Sequence, residues 1–195
     1  MRAVLFDLDG TLIDSYDTWF HLTNAGCVAF GLPEVPPEAF EDGWGQSVEE
    51  DAAVYFGDRT LAEVQTFYDE HYMDHVEHVR VDPAATRVLR ELISRGVKVA
   101  IVTNTPQALA GRIVAYLGLD ADTVVGESDS YRAKPAPDML RVALEQLGVS
   151  EECAWMVGDS RFDADAAKAA GVRFAGIQRD GDRRLDTLAQ ALDLP

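Results

Sequence analysis

Two aspartates two residues apart, Asp7 and Asp9, close the apolar run Ala3-Val4-Leu5-Phe6 and are followed at once by Gly10-Thr11. A short apolar run halted by polar residues and glycine reads as a fully buried strand of the parallel-sheet kind. Residues i and i+2 of a strand project from the same face, so the two carboxylates stand side by side where the strand stops. In an open α/β sheet, that carboxyl end is where ligands bind. Two crowded carboxylates repel each other unless a cation or a shared proton intervenes. A single aspartate there reads as a turn cap; the pair, backed by Gly-Thr, reads as a site.

Three later stretches carry chemistry that fits the same site. Thr103-Asn104 follows an apolar run over 97–102 and offers a hydroxyl and a backbone N–H at an expected helix start, suited to phosphoryl oxygens. Lys134 lies in Arg132-Ala133-Lys134-Pro135-Ala136-Pro137-Asp138, where two prolines stiffen its support. Asp159 and Asp163 lie in Gly158-Asp159-Ser160-Arg161-Phe162-Asp163, directly after the run 153–157. Each alone has an ordinary reading: a solvated loop lysine, a turn, acids favoured by a helix dipole. Together, and in this order, they describe three or four carboxylates, a lysine and a threonine converging on one sheet edge. Such a cluster suits a hard divalent cation with oxygen ligands, and Mg²⁺ fits best.

The elements that must position these residues alternate. Apolar runs over 97–102, 123–125, 153–157 and 174–177 read as strands. Helical stripes over 85–93, 106–117, 137–147 and 162–170 separate them, several closed by a glycine, and 185–192 reads as a closing helix. Strand and helix in alternation predict βαβ units around a parallel sheet, a Rossmann-like α/β fold. Right-handed crossovers bring the strand ends to a common edge.

Residues 15–83 interrupt this pattern. They hold all four histidines and fifteen acids against two bases, Arg59 and Arg80, and show helical but no strand periodicity. They read as an inserted all-helical cap, with residues 1–14 and 84–195 forming the core.

Bulk properties describe a globular chain and leave room for a small anionic substrate in a locally positive pocket. The chain has 195 residues, 47% hydrophobic and 26% charged, enough for a core plus an insertion. A net charge of −17 disfavours nucleic-acid polymers and anionic membranes. Cys27 and Cys153 are too far apart in sequence for a CxxC motif, and no apolar stretch is long enough for a membrane span. A cytoplasmic protein, monomer or homodimer, is the expectation.

The segments Asp7-Leu8-Asp9-Gly10-Thr11, Thr103-Asn104, Lys134-Pro135 and Gly158-Asp159-Ser160 with Asp163 resemble those of haloacid dehalogenase superfamily hydrolases. The likeness is to the phosphoglycolate-phosphatase-like branch with a helical cap of C1 type. It implies strand order 5-4-1-2-3, a mobile cap, and Mg²⁺-dependent hydrolysis of a small phosphorylated metabolite through an aspartyl-phosphate. By the resemblance, Asp7 is the nucleophile and Asp9 the acid and base. Thr103, Asn104 and the Gly10-Thr11 backbone hold phosphoryl oxygens, and Lys134 neutralises charge. The metal takes the Asp7 carboxylate, the Asp9 carbonyl and Asp159, while Asp163 orients Lys134 or a metal-bound water.

Departures from the family narrow the reading. Asp9 disfavours dehalogenation. The β-phosphoglucomutases place a histidine where this chain has Trp19, with His21 two residues on, so a sugar-phosphate mutase is the weaker alternative. The absence of lysine from 15–83 sets aside phosphonate hydrolysis through a Schiff base. A phosphorylation-switched regulator is a further alternative, although receivers carry the phosphorylated Asp after the third strand rather than the first. Gly43-Trp44-Gly45-Gln46-Ser47 is the candidate specificity loop, with Tyr16, Trp19 and Arg161 as possible substrate contacts. His71, His75 and His78 share one helix face, where a solvated surface is the ordinary reading and a metal site the rarer one. So acidic an insert favours a weakly charged phosphomonoester.

Overall fold

The computed structural model describes residues 1–128 and 130–195. Six strands form one parallel sheet: β1 (Ala3–Phe6), β4 (Lys98–Pro106), β5 (Thr123–Glu127), β6 (Ala154–Gly158), β7 (Arg173–Ile177) and β8 (Arg183–Leu185), in the order β5-β4-β1-β6-β7-β8. The first strand is central, with Leu5 opposite Ala100 on one side and Met156 on the other. The five strands read from sequence keep their expected order, and β8 extends the sheet at the β7 edge.

Period-2 alternation explains why β1 is apolar throughout. Val4 and Phe6 join the core on one face with Val99, Ile101 and Val157. Ala3 and Leu5 join the core on the other face with Val102, Met156 and Phe174. Helices α5 (Ala85–Ser94) and α6 (Gln107–Leu117) pack on the first face, α7 (Asp138–Leu147) and α8 (Arg161–Ala170) on the second. With both faces covered, no strand residue needs a polar outward side.

Between β1 and β4 lies a largely helical insert. It comprises α1 (Tyr16–Ala29), α2 (Pro37–Asp42), α3 (Val48–Tyr55) and α4 (Leu61–His71), then a 3₁₀ turn over Tyr72–His78. Two short strands, β2 (Ile13–Asp14) and β3 (Arg80–Val81), pair antiparallel at its root. The expectation of an all-helical insert is therefore corrected at Arg80–Val81, a two-residue strand too short to show alternation in sequence. The stripe over 61–79 also does not continue as one helix, because α4 gives way to the 3₁₀ turn after His71. The expected closing helix over 185–192 is corrected too. Leu185 is buried in β8, the Gln178 amide donates to its carbonyl at 2.7 Å, and only a 3₁₀ segment, Leu188–Asp193, follows.

Candidate active site

The site forms where β1 ends. The Asp7 amide donates to the Val157 carbonyl at 2.9 Å, continuing the β1–β6 ladder by one residue and aiming the Asp7 carboxylate off the sheet edge. The chain then turns at Gly10, whose φ of +84° favours glycine. A Cβ at Gly10 would lie 2.4 Å from Asp159 Oδ2, so the glycine also lets the β1 and β6 loops approach. The same turn overturns one expectation. The Gly10 amide donates to Ile13 O at 2.8 Å and the Thr11 amide lies 3.4 Å from Leu8 O, so both face the loop rather than a ligand. Thr11 instead contributes its hydroxyl, which donates to Asp159 Oδ1 at 3.1 Å.

Lys134 is 2% exposed, and its ammonium donates to Asp7 Oδ1 at 2.8 Å, Asp163 Oδ1 at 2.7 Å and the Val102 carbonyl at 3.0 Å. Three acceptors for three N–H donors satisfy it completely. Burial alone would lower its pKa, but Asp163 and Asp7 outweigh burial and hold the ammonium above its ordinary value. Asn104 fixes the lysine loop: its Oδ1 accepts the Lys134 amide at 2.9 Å, and its Nδ2 donates to the Lys134 carbonyl at 2.9 Å and to Gly45 O at 3.0 Å. The Asn104 side chain is thus a tie between loops. Nor does Asn104 stand at a helix start, because β4 runs on to Pro106 and α6 begins at Gln107.

Asp9 is held by four donors. Its Oδ1 accepts from Ser15 Oγ at 2.6 Å and Trp19 Nε1 at 2.9 Å; its Oδ2 accepts from Thr103 Oγ1 at 3.1 Å and Thr105 Oγ1 at 2.8 Å. The Thr103 hydroxyl is therefore given to Asp9, while its oxygen accepts the Thr105 amide at 3.1 Å.

Carboxylate oxygens of Asp7, Asp159 and Asp163 lie within 4.8 Å of one another. Burial first, then Asp163, raises the Asp7 carboxyl well above its ordinary value, Lys134 opposing. Burial and Asp163 likewise push Asp159 up to about 6. Crowding of this kind is relieved by a bound cation. The hydrogen bonds distinguish the three groups. Both Asp163 oxygens are engaged, Oδ1 by Lys134 and Oδ2 by Ser160 Oγ at 2.6 Å and Ser160 N at 3.1 Å. In contrast, one oxygen of Asp7 and one of Asp159 stand outside the bonds to Leu8, Lys134 and Thr11. Oxygen donors in this arrangement fit a hard divalent cation.

The insert closes over these residues. A cavity of about 60 Å³ is lined by Asp7, Asp9, Thr103, Asn104, Thr105 and Lys134 from the sheet edge. From the insert come Trp19, Phe40, Trp44, Gln46, Val48 and Asp51 among others. Trp44 and Gln46 of the candidate specificity loop thus border the site. Arg161 does not line it; its guanidinium lies 4.9 Å from the centre of the Phe162 ring. The histidines do not converge as ligands: His71 Nδ1 pairs with Asp74 Oδ2 at 3.0 Å, and His78 packs on His21 at 4.9 Å. Sequence reasoning missed Asp51 and Thr105. A second Thr two places after Thr103 was a readable signal for Thr105, whereas nothing near Asp51 marks it.

Comparison with known proteins agrees. The family model of the haloacid dehalogenase-like hydrolases matches residues 4–177. A phosphoglycolate phosphatase of Aquifex aeolicus is 33% identical over 178 residues, 90% of this chain and 84% of that protein. One of Neisseria meningitidis is 35% identical over 192 residues, 91% of this chain and 80% of that protein. Among solved structures, CbbY of Rhodobacter sphaeroides in complex with phosphate shares the fold, with a TM-score of 0.86, 23% identity and full coverage of both chains. No helix of the described residues is long and apolar enough to cross a membrane. The sheet order, the residues at its edge and these matches lead to one conclusion: the chain belongs to the haloacid dehalogenase-like hydrolases.

Proposed function

We propose that the chain is a Mg²⁺-dependent phosphomonoester hydrolase that acts on a small organic phosphate through a phosphoryl-Asp7 intermediate. The observation that carries this reading is the buried Asp7–Lys134–Asp163 chain beside Asp159 at the carboxyl edge of the sheet. The phosphatase names of its relatives support it. Residues 15–83 act as the cap, and 1–14 with 84–195 as the core.

In the first step Asp7 attacks phosphorus through a carboxylate oxygen, and the alcohol oxygen leaves with a proton from Asp9. In the second, Asp9 takes a proton from water as that water attacks phosphorus, releasing phosphate and regenerating Asp7. Splitting one hydrolysis into two displacements is the gain of a covalent nucleophile. Lys134 holds Asp7 in place and offsets phosphoryl charge, Asp163 orients Lys134, and Thr103 with Thr105 orients Asp9. Asp7, the Asp9 carbonyl and Asp159 would hold Mg²⁺, which when bound neutralises the charge on the transferring phosphoryl group. Asp9 must release at least one of its four donors to carry a proton, and the Ser15, Thr103 and Thr105 hydroxyls can each turn away to provide this, whereas the Trp19 indole stays as the positioning donor.

Turnover of p-nitrophenyl phosphate with Mg²⁺ tests the reading. It is expected to vanish in Asp7→Asn and on chelation of the metal. An Asp7→Asn protein as active as the wild type overturns the mechanism.

A further inference from the structure

We propose that Asp51 reads the leaving group, so that the chain selects phosphomonoesters whose alcohol carries a free hydroxyl over those carrying a second anionic group. This inference rests on the phosphatase reading above and names the substrate class of that same site.

Asp51 belongs to α3 of the insert, yet its side chain borders the cavity that also holds Asp7 and Asp9. It is fastened from behind. Gln46 Nε2 donates to Oδ1 at 2.7 Å and the Tyr68 hydroxyl to Oδ2 at 3.0 Å. The Tyr68 oxygen lies 3.1 Å from Thr23 Oγ1, completing a buried relay. Each Asp51 oxygen thus has one protein donor and keeps a lone pair for a ligand. Burial pushes the carboxyl up to about 7, and above that pH it stands as a carboxylate that a substrate hydroxyl can donate to.

Among the described residues, Lys134 is the one cation lining this cavity, and it is already shared by Asp7 and Asp163. A carboxylate or second phosphate on the substrate would therefore enter beside Asp51 with no cation to meet it. Gln46 gives it no refuge, since that amide N–H₂ is turned to Asp51. A hydroxyl meets no such penalty, and the Trp44 and Phe40 rings supply apolar surface for its carbon frame. Unpaired buried charge is among the strongest grounds on which a site rejects a ligand.

The test uses two substrate pairs that differ only by hydroxymethyl against carboxylate: glycerol 3-phosphate against 3-phosphoglycerate, and 2-hydroxyethyl phosphate against 2-phosphoglycolate. In the full-length wild type with Mg²⁺, kcat/KM is expected to favour the hydroxymethyl member of each pair by about tenfold or more. In Asp51→Asn that ratio is expected to shrink by about fivefold or more, mainly through KM. Equal or reversed preference in the wild type overturns the inference, and so does an unchanged ratio in a folded Asp51→Asn protein. Should the variant not fold, the wild-type ratio decides. An enzyme that hydrolyses p-nitrophenyl phosphate but prefers the carboxylates loses only this inference. One that hydrolyses no phosphomonoester loses the phosphatase reading, and this with it.

Discussion

The indole N–H of Trp19 donates to Asp9 Oδ1 at 2.9 Å, joining the first helix of the insert to the proposed acid–base residue of the core. Trp19 is buried against Tyr68 and Tyr72, whose rings stand edge-on at 5.3 and 5.1 Å, so the donor is aimed by packing. A hydrogen bond to a charged group contributes about 1.5–3 kcal/mol. Trp19→Phe keeps most of the apolar contact and removes the donor. Its kcat for p-nitrophenyl phosphate is expected to fall about tenfold, with an unchanged far-UV spectrum. A kcat within about twofold of the wild type would show that Asp9 is positioned without Trp19.

Lys134 stands between two buried carboxylates, and removing it leaves both uncompensated. Breaking a buried pair in this way costs about 3–5 kcal/mol. Lys134→Met, which preserves volume, should be destabilised by that amount in urea unfolding and should lose turnover. Adding Asp163→Asn removes one of the stranded charges and should restore about 1–3 kcal/mol without restoring activity. Strict additivity of the two changes would mean that Lys134 and Asp163 are not energetically coupled.

The residues that sequence alone could place are those that chemistry sets at strand ends. Asp7, Asp9, Thr103, Lys134 and Asp159 each stand at or just past the end of an apolar run or in a proline-stiffened loop, and all five reach the same edge. What escaped was set by contacts far apart in the chain. Asp51 meets Tyr68 and Asp9 meets Thr105 only after the insert and the sheet have packed. The resemblance places phosphoryl oxygens on the Gly10-Thr11 backbone, yet these amides close the loop on Ile13 and Leu8, a local turn that the motif alone does not reveal. Period-2 alternation cannot be seen in a two-residue strand, which hid Ile13–Asp14 and Arg80–Val81.

Asp51 should also shape stability against pH. Burial raises its carboxyl to about 7, with Glu127 and Glu50 adding and the Gln46 and Tyr68 hydrogen bonds opposing. Its value in the unfolded chain is about 3.9. Between these two values the folded state holds a proton that the unfolded state has released, so stability contributed by Asp51 falls as pH rises through the window. The penalty is complete above about pH 7 and amounts to at most about 4 kcal/mol. Asp51→Asn is therefore expected to be more stable than the wild type at pH 8, with the advantage shrinking toward pH 4. Urea midpoints at the two pH values measure it; a difference that does not change with pH would place the Asp51 carboxyl at an ordinary value.

Glu127, the last residue of β5, accepts the Val48 amide at 3.0 Å, so a core carboxylate caps the N-terminus of the insert helix α3. Burial raises its carboxyl, the Val48 and Glu49 amides opposing. A carboxylate at a helix N-terminus contributes about 0.3–2 kcal/mol through the orphan N–H groups and the dipole. Helix α3 carries Asp51, and the loop before it carries Trp44 and Gln46, so this cap sets where the insert wall stands relative to Asp7. Glu127→Ala should lower hydrogen-exchange protection at Val48 and Glu49 while leaving β1 and β6 amides unchanged. The core chemistry is untouched, so KM for a hydroxylated substrate should rise by about three- to tenfold while kcat changes little. Glu127→Gln, whose amide oxygen can still accept from Val48, should recover most of the loss. Equal protection at Val48 in all three proteins would mean that α3 is seated by its apolar face alone, through residues such as Val48 and Ala52.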